Sequence, residues 1–453
     1  LYSGREDFAA VYPFVPYQFN LLGSVLTSIR THGASGKHLA EGERSMLALF
    51  KESAMRLMDE AEGALVPFNM FYDALEQFLD HSYRSVIYKA WDNDYLNPNR
   101  DQDCFDVNVL KVLFMIKYVK EITANVEQIT SLLIDSVDAD RMELQKKVED
   151  ALKRLVKQTL VQKNGDVYVF LTDEEQEVQR DIEAENVEIA EVIGAVAEII
   201  FDDLFDAKRY RYPAMNGRYV FGFNQFVDDR PYRANQNYDI SLKIITPDWD
   251  LRSDEATMRM LSGQERSVLV VLPDDREFMT ELRLAMQIHK YLNRGAMNTL
   301  AKYEQIRQMK IAEETERKAN ARIFLETALR EATIFVNGDK LQVSGRDISA
   351  RINEGIGKLV AAVYYKLNYI DTATNEASIR SLLKTSAQYQ LTLSGGVAIN
   401  KLALSDLEDY LNLNTTRNHS RTSLKTLYDR YTKAPYGFIE DDVRWLVAKL
   451  FRD

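Results

Sequence analysis

The chain has 453 residues, so at about 150 residues per domain it has room for about three domains. Its 57 Lys and Arg against 69 Asp and Glu give a net charge of −12, which excludes a generally basic nucleic-acid-binding surface and leaves only a local patch for DNA contact. No run approaches the roughly 18 apolar residues of a membrane span, and the single cysteine, Cys104, excludes an intrachain disulfide, so we expect a chain that is not embedded in a membrane and that lies in a reducing compartment.

Three- to four-residue apolar spacing dominates the chain and predicts a mainly α, multidomain fold. The first region, residues 1–100, is predicted to be a helical domain, with one apolar helix face around Leu22 and Val25 and a second around Phe50. Because the chain begins at Leu1 rather than Met, we expect it to be part of a longer protein.

Residues 101–175 are predicted to form a winged-helix domain. Asn164-Gly165 lies between two β-prone runs and predicts a type I′ hairpin, in which both central residues need positive φ. Three predicted helices precede it, at about 109–119, 125–133 and 140–160. Three helices followed by a hairpin is the order of a winged helix, whose third helix is the usual contact element.

The rest of the chain divides into four predicted regions. One long acidic helix is expected from 173 to 205, strands near 218–223, 238–245 and 267–272, and a second hairpin at Asn337-Gly338 after a long charged helix. The regions are 176–205, a connecting acidic helix; 206–295, a small α+β domain; 296–345, a long helical arm with its hairpin; and 346–453, a C-terminal helical domain that could hold a second helix-turn-helix.

A local basic segment lies in the third helix and the hairpin of the predicted winged helix. It contains three acidic residues and seven basic ones, which are Arg141, Lys146, Lys147, Lys153, Arg154, Lys157 and Lys163. A basic third helix in an acidic protein is what contact with DNA phosphates requires. A solvated helix face with internal salt bridges, such as Glu149 to Lys153, is the alternative, and winged helices also pack against proteins. DNA contact and structural packing both stay open at this point.

Motifs for autonomous catalysis are missing from the chain. Gly36-Lys37 superficially resembles a phosphate loop, but Thr31 and His38 stand where that loop needs Gly and Ser or Thr. The five histidines form no ligand pair for a metal, and no nucleophile elbow is present. We therefore predict no catalytic and no metal-binding residue, and whether the chain is an enzyme stays undecided.

Arg44 is a candidate for contact with an anion. It lies at the start of a predicted helix that follows a glycine-containing loop. A guanidinium beside the amide groups of a helix N-terminus can bind phosphate. The alternative is a local salt bridge to Glu41 or Glu43, which is common in first helical turns.

Four short motifs resemble one known family, the P-loop ATPase of the BREX phage-defence systems, also called the BrxC/PglY family. The motifs are YPFVPYQF at 12–19, GASGKHL at 33–39, GERS at 42–45 and PYGF at 435–438. The resemblance is strongest over residues 10–60 and fits the order of the predicted regions to the end of the chain.

The resemblance implies a large cytoplasmic ATPase that blocks phage DNA replication together with a DNA methyltransferase and other BREX proteins. It implies an AAA+-like core upstream of Leu1 that binds ATP and Mg²⁺, with residues 12 to about 95 as a helical lid and Arg44 as a nucleotide-sensing arginine. Because the chain lacks Walker A and B motifs, no cofactor is expected within it.

Two hypotheses follow. In the first, the chain couples nucleotide state in the core to double-stranded DNA or to a partner protein through the winged helix. In the second, it is an interaction scaffold that binds only proteins, including further copies of itself. Reversing the charge of Lys153, Arg154 and Lys157 distinguishes the two, because only DNA contact depends on them.

Overall fold

A computed structural model describes residues 4–32, 42–234, 236–252, 254–294, 301–342, 345–384, 399–416 and 421–452, without the side chains of 42–45 and 301–302. The chain divides into two compact units, which are residues 1–185 with 290–308 and residues 186–289 with 309–453. The predicted mainly α, multidomain fold is confirmed. Among the described helices none is both long and apolar enough to cross a membrane.

The first unit is built almost entirely from helices around one apolar core. Val25 and Phe71 are among its fully buried side chains, and α6 is apolar on nearly all sides because it runs through the centre. The elements are α1 (Arg5–Val11), α2 (Tyr17–Thr31), α3 (Gly42–Met55), α4 (Met70–Leu75), α5 (His81–Trp91), α6 (Phe105–Ile116), α7 (Val126–Leu132), α8 (Arg141–Lys157), β1 (Val161–Asn164), β2 (Val167–Phe170) and α9 (Asp173–Glu183).

Helices α6, α7 and α8 and the β1–β2 hairpin have the predicted winged-helix order. Asn125 caps α7, and Asp140 caps α8 by accepting hydrogen bonds from two backbone amides. The predicted type I′ turn at Asn164-Gly165 is wrong by one residue, because Asn164 pairs with Val167 and the turn centres on Gly165 and Asp166. Only Gly165 has positive φ, at 55°, which is the requirement of a type II′ turn.

The single acidic helix predicted from 173 to 205 is also wrong. The chain forms α9 and then a separate α10 (Ile189–Glu198), which continues as a π-helical turn over Ile199–Leu204. Each helix begins with its own capping box, Thr172 with Glu175 and Glu188 with Glu191. These caps satisfy the first amides of each helix, so two helix starts are more stable than one continuous helix.

The second unit contains a six-stranded mixed sheet with the strand order β10-β9-β8-β7-β5-β6 and a separate two-stranded ladder of β3 and β4. Strands β5, β7 and β8 are parallel, and the other pairs are antiparallel. The strands are β3 (Arg209–Arg211), β4 (Val220–Gly222), β5 (Asn224–Val227), β6 (Arg230–Pro231), β7 (Ser241–Ile245), β8 (Ser267–Val271), β9 (Thr333–Val336) and β10 (Asp339–Lys340).

Helices cover both faces of this sheet. The remaining elements are α11 (Ala214–Gly217), a single irregular turn, then α12 (Glu255–Gln264), α13 (Glu277–Asn293), α14 (Ala301–Glu331), α15 (Ile348–Val363), α16 (Glu376–Lys384), α17 (Lys401–Thr416), α18 (Leu424–Tyr431) and α19 (Glu440–Arg452). Leu269 packs with Met258 of α12 on one face, while Val268 lies against α15 on the other. Gly355 allows that close approach, since a Cβ there would lie 3.0 Å from Val268. Burial on both faces explains the continuous apolar run of β8.

The second predicted hairpin belongs to the same sheet. Asn337 and Gly338 have φ values of 53° and 86°, as a type I′ turn requires, and the turn joins β9 to β10. Strand β9 pairs with β8, so the sheet takes strands from both of the regions predicted as 206–295 and 296–345. The C-terminal part of α14 packs into the core through Ala321 and Leu325, although its sequence is rich in charge.

Asp228 follows β5 and is buried beneath the sheet edge. Its carboxylate accepts hydrogen bonds from Thr246, from the backbone amide at 2.8 Å and from the hydroxyl at 2.9 Å. Burial raises the pKa of Asp228 above the ordinary carboxyl value. A raised pKa in the folded state means that this group stabilises the fold at low pH and loses that contribution as pH rises through its folded pKa.

We expect Asp228→Asn to make the second unit more stable than wild type at pH 7. The amide can keep both contacts to Thr246, carries no charge, and tolerates the left-handed φ of 53° at this position. The measurement is urea unfolding in a Trp91→Phe background, where Trp249 and Trp445 are the only tryptophans. The advantage should vanish below about pH 4, where the wild-type carboxyl is protonated too. Asp250→Asn, an exposed control, should change little, and a loss of stability in Asp228→Asn would contradict the expectation.

Candidate nucleic-acid interface

Helix α8 presents a row of lysines on its outer face. Val148, Leu152 and Leu155 are fully buried and hold the helix against the core. The other side carries exposed residues, which include Lys146, Lys153 and Lys157. Their spacings of seven and four residues keep the three lysines within about 40° of helix surface. The third helix of the winged-helix order therefore exposes a narrow basic stripe.

Carboxylate side chains lie near this stripe, but the lysines stay exposed. Asp150 contacts Lys153 at 3.1 Å, and both side chains are largely exposed. Lys157 lies 5.0 Å from the centre of the Tyr95 ring, which leaves its ammonium at the surface. Exposed ion pairs contribute only about 0–1 kcal/mol, so Lys153 can exchange its partner for a phosphate at little cost.

The other predicted basic residues have different surroundings. Arg141 contacts Glu127 at 3.0 Å, and Lys147 contacts Glu143 at 2.9 Å, a hydrogen bond that raises the pKa of Lys147. Lys163 of β1 is exposed and lies 6.0 Å from the Tyr168 ring centre. These cations surround the stripe on α8 but belong to separate local contacts.

Arg154 is held inside the domain. Its guanidinium donates two hydrogen bonds of 2.7 Å to the carboxylate of Asp106, which is 4% exposed. The hydrogen bond to Asp106 raises the pKa of Arg154. A bidentate pair of this kind fixes α8 to α6, so Arg154 positions the helix that carries the lysines. The signal for it in the sequence is one acidic residue, Asp106, at the start of a mostly apolar helix.

The C-terminal helices α17, α18 and α19 form a second three-helix element of a different charge. The first turn of α19 contains Glu440, Asp441 and Asp442, and Arg444 on the same helix pairs with Glu440 at 2.7 Å and with Asp441 at 3.1 Å. Contact helices place their N-terminal residues against the nucleic acid. Asp442 is buried, so the accessible charges at that end are Glu440 and Asp441 beside Arg444, and the start of α19 has no exposed row of lysines like that of α8.

The PYGF motif connects α18 to α19. Tyr436 and Phe438 are buried, and Gly437 has a φ of 70° at a place where a Cβ would lie 2.7 Å from Tyr364. The Tyr436 hydroxyl donates to Asp406 at 2.8 Å, and Lys366 donates to the same carboxylate at 2.7 Å. The motif thus shapes the inside of this domain.

Buried Asp442 ties α19 to the sheet domain. Its side chain is fully buried and accepts hydrogen bonds from the Tyr219 hydroxyl at 2.9 Å and the Thr374 hydroxyl at 3.1 Å. Arg218 lies at 2.9 Å and supplies the opposite charge. The sequence did not predict this contact, because 223 residues separate Tyr219 from Asp442.

The remaining sequence predictions concern the phosphate-loop-like segment and Arg44. Gly36-Lys37 lies outside the described residues. Arg44 belongs to the first turn of α3, and its side chain also lies outside the described part. Within the described ranges, His, Cys, Asp and Glu side chains form no group that could hold a metal ion.

The fold and these surfaces define a mainly helical, multidomain protein in which a six-stranded mixed sheet is joined to three-helix elements. Comparison with protein families gives two matches. Residues 185–359 match the model described as the BREX ATP-binding protein BrxC 4th domain with six-stranded beta sheet, and residues 366–453 match the BREX ATP-binding protein BrxC winged helix-turn-helix domain. The chain belongs to this BrxC family. No solved structure was found to match it.

The matches agree with the observed elements. The matched sheet domain contains all six strands of the sheet, and the matched winged helix-turn-helix domain contains α16 to α19. The predicted family is therefore confirmed, and so is the helix-turn-helix predicted at the C-terminus.

Proposed function

We propose that this chain couples the nucleotide state of an AAA+-like core, which binds ATP and Mg²⁺ elsewhere in the protein, to double-stranded DNA through α8. The family description as ATP-binding supports the first half of this proposal. The observation that carries the second half is the exposed stripe of Lys146, Lys153 and Lys157 on the third helix of a winged-helix order. In the cell, this contact would serve phage defence together with the methyltransferase and other BREX proteins.

The charge distribution favours α8 over α19 as the helix that contacts DNA. Helix α8 exposes Lys146, Lys153 and Lys157 beyond its acidic first turn, whereas the accessible charges at the start of α19 are Glu440 and Asp441 beside Arg444. Long-range Coulomb forces dominate the approach of a protein to DNA. We therefore assign DNA contact to the first unit and a protein-facing role to the C-terminal element.

The second candidate function is a scaffold that binds proteins only, including copies of itself. One observation favours it for the C-terminal element, because Phe451 of α19 is 87% exposed. An exposed aromatic ring beside charged residues is typical of protein contacts. Under this alternative the lysines of α8 are solvated and DNA plays no part.

Fluorescence anisotropy of a labelled duplex separates the two candidates. If the chain contacts DNA, the logarithm of its association constant for the duplex should fall linearly with the logarithm of the salt concentration. The absence of binding at low salt would reject DNA contact and leave the scaffold.

Arg44 is proposed to sense the nucleotide in the complete protein. We expect Arg44→Glu to lower ATP turnover by about tenfold, the effect of losing one charge-assisted contact to phosphate, without unfolding the protein. Steady-state ATPase rates check this expectation. Lys51→Glu, an exposed residue of the same helix, is the matched control. Unchanged turnover in Arg44→Glu would remove Arg44 from the mechanism.

A further inference from the structure

The second unit contains a cavity of about 370 Å³ beside the ladder of β3 and β4. It lies between the turn that joins these two strands and the end of α15 with the segment that follows it. Within the described residues, no charged side chain lines it. Apolar residues line it together with four tyrosines, which are Tyr212, Tyr219, Tyr364 and Tyr365. The cavity is therefore aromatic in character and has the volume of a small-ligand pocket.

The tyrosines of this cavity differ in how firmly they are held. Tyr219 and Tyr364 are buried, and their hydroxyls donate hydrogen bonds to Asp442 at 2.9 Å and to Asp239 at 3.2 Å. Tyr365 is 59% exposed, so part of its ring is open to solvent. Two fixed rings and one exposed ring suit a flat ligand group that packs against aromatic side chains.

Basic residues alternate with aromatic ones along β3. Because side chains point to alternate faces of a strand, Tyr210 and Tyr212 lie on one face, while Arg209 and Arg211 lie on the other and are exposed. Lys208, directly before the strand, is exposed as well. In the part of the chain that the structure describes, none of these three cations forms an ion pair. The start of the ladder thus carries three positive charges, although the whole chain has a net charge of −12.

Arg211 brings this positive charge to the cavity. Its guanidinium donates a hydrogen bond of 3.2 Å to the carbonyl of Gly217, in the turn that joins β3 to β4. Met215 of the same turn lines the cavity, and its φ of 51° is uncommon for a residue with a long side chain. The cavity and the cations therefore meet at one turn of the chain.

We propose that this cavity binds a base of single-stranded nucleic acid, whose phosphates contact Lys208, Arg209 and Arg211. Proteins that bind single strands combine aromatic side chains, on which the bases stack, with positive charges that follow the backbone. The bases of a duplex stay stacked and cannot enter a cavity, so the ligand is a single strand. The cations favour it over an aromatic side chain of a partner protein, which carries no negative charge. The site is separate from the duplex contact through α8.

The test measures the anisotropy of a fluorescein-labelled oligothymidylate of about 12 nucleotides, a length within the range of single-strand sites, as the whole chain is added. An abasic strand of the same length carries the phosphates without the bases. Tyr365→Ala should weaken binding of the oligothymidylate by about tenfold, because stacking of one base is lost, and should leave the abasic strand unchanged. Tyr365 is exposed, so the fold should persist, as circular dichroism can verify.

The cations are tested by a second variant. Lys208→Gln with Arg209→Gln should weaken both strands alike, and should lower the slope of log affinity against log salt by about 1.4, because two phosphate contacts are lost. Lys401→Gln with Lys425→Gln is the matched control, which removes the same charge from exposed positions of α17 and α18 and should leave both strands unchanged. Equal loss in the two double variants would show that only total charge matters and would overturn the proposed site.

All these measurements are made with Lys146, Lys153 and Lys157 changed to Glu, so that α8 contributes nothing and a failure of the duplex contact leaves the test intact. Tyr88→Ala removes a tyrosine of the same exposure from the first unit and should have no effect.

An oligouridylate of the same length separates RNA from DNA, and the strand that binds more tightly identifies the natural ligand. Equal binding of the oligothymidylate and the abasic strand, or equal loss in Tyr365→Ala and Tyr88→Ala, would overturn the proposal. Failure of both the oligothymidylate and the oligouridylate to bind would overturn it too. In that case, binding of a labelled tryptophan peptide would assign the cavity to a partner protein.

Discussion

Replacing Lys146, Lys153 and Lys157 by Glu is expected to weaken binding of the chain to duplex DNA by at least about 100-fold at low salt. Each lysine that neutralises one phosphate releases counterions, so three contacts contribute about 3 to the slope of log affinity against log salt. The variant should lose that part of the slope as well as the affinity. Both quantities come from one anisotropy titration series over a fourfold range of salt.

The variant of Lys146, Lys153 and Lys157 tests DNA contact more specifically than a charge-reversal variant that includes Arg154. Arg154 is bound to buried Asp106, and its loss would leave that carboxylate without a partner and loosen α8 from α6. The three lysines project outward, so their reversal tests contact and leaves packing intact. In a variant that also changes Arg154, a destabilised fold would lower DNA binding just as the loss of the interface would.

Arg30, Lys51 and Lys120 provide the matched control. All three are exposed residues of the first unit outside α8, and changing them to Glu produces the same change in net charge. If the control weakens DNA binding as much as the α8 variant, the effect comes from total charge and α8 is not the interface. If neither variant changes it, the lysines of α8 do not contact DNA.

Asp442→Ala is expected to lower the free energy of unfolding of the second unit by about 3–5 kcal/mol. The change removes the carboxylate opposite Arg218 and the acceptor of the Tyr219 and Thr374 hydroxyls. Breaking a buried pair from one side leaves the other charge uncompensated, which costs more than the pair itself contributes. Urea unfolding in the Trp91→Phe background reports this loss through Trp445, three residues along the same helix.

Asp441→Ala is the control for this experiment. Asp441 is the neighbouring carboxylate, partly exposed and paired with Arg444 at the surface, so its removal should cost less than about 1 kcal/mol. Because Asp442 joins the matched winged helix-turn-helix domain to the matched sheet domain, its loss should also expose the linkage between them to proteases. Equal stability of the two variants would show that the Asp442 contacts add nothing to the unit.

The local patterns of the chain were sufficient to predict most helices and strands. Caps, apolar spacing and Asn-Gly pairs act within a few residues, so α7, α8 and the hairpin of β9 and β10 lie close to their predicted places. Two predictions from these local patterns were wrong. The capping boxes at Thr172 and Glu188 divide the expected acidic helix, and Gly165 rather than Asn164 begins the first hairpin turn.

What the sequence by itself determined was the helical character, the acidic balance, the basic third helix and the motifs that resemble the BrxC family. The tertiary structure decided which charged side chains are exposed for contact with a ligand and which are held in internal contacts. Arg154 and Asp442 appear in the sequence as ordinary charged residues, yet each is held by a partner 48 or more positions away. Spacing along the chain carries no information about such partners, because burial and pairing depend on which distant helices pack together. For the same reason only the fold separates the exposed lysines of α8 from the arginine that anchors it.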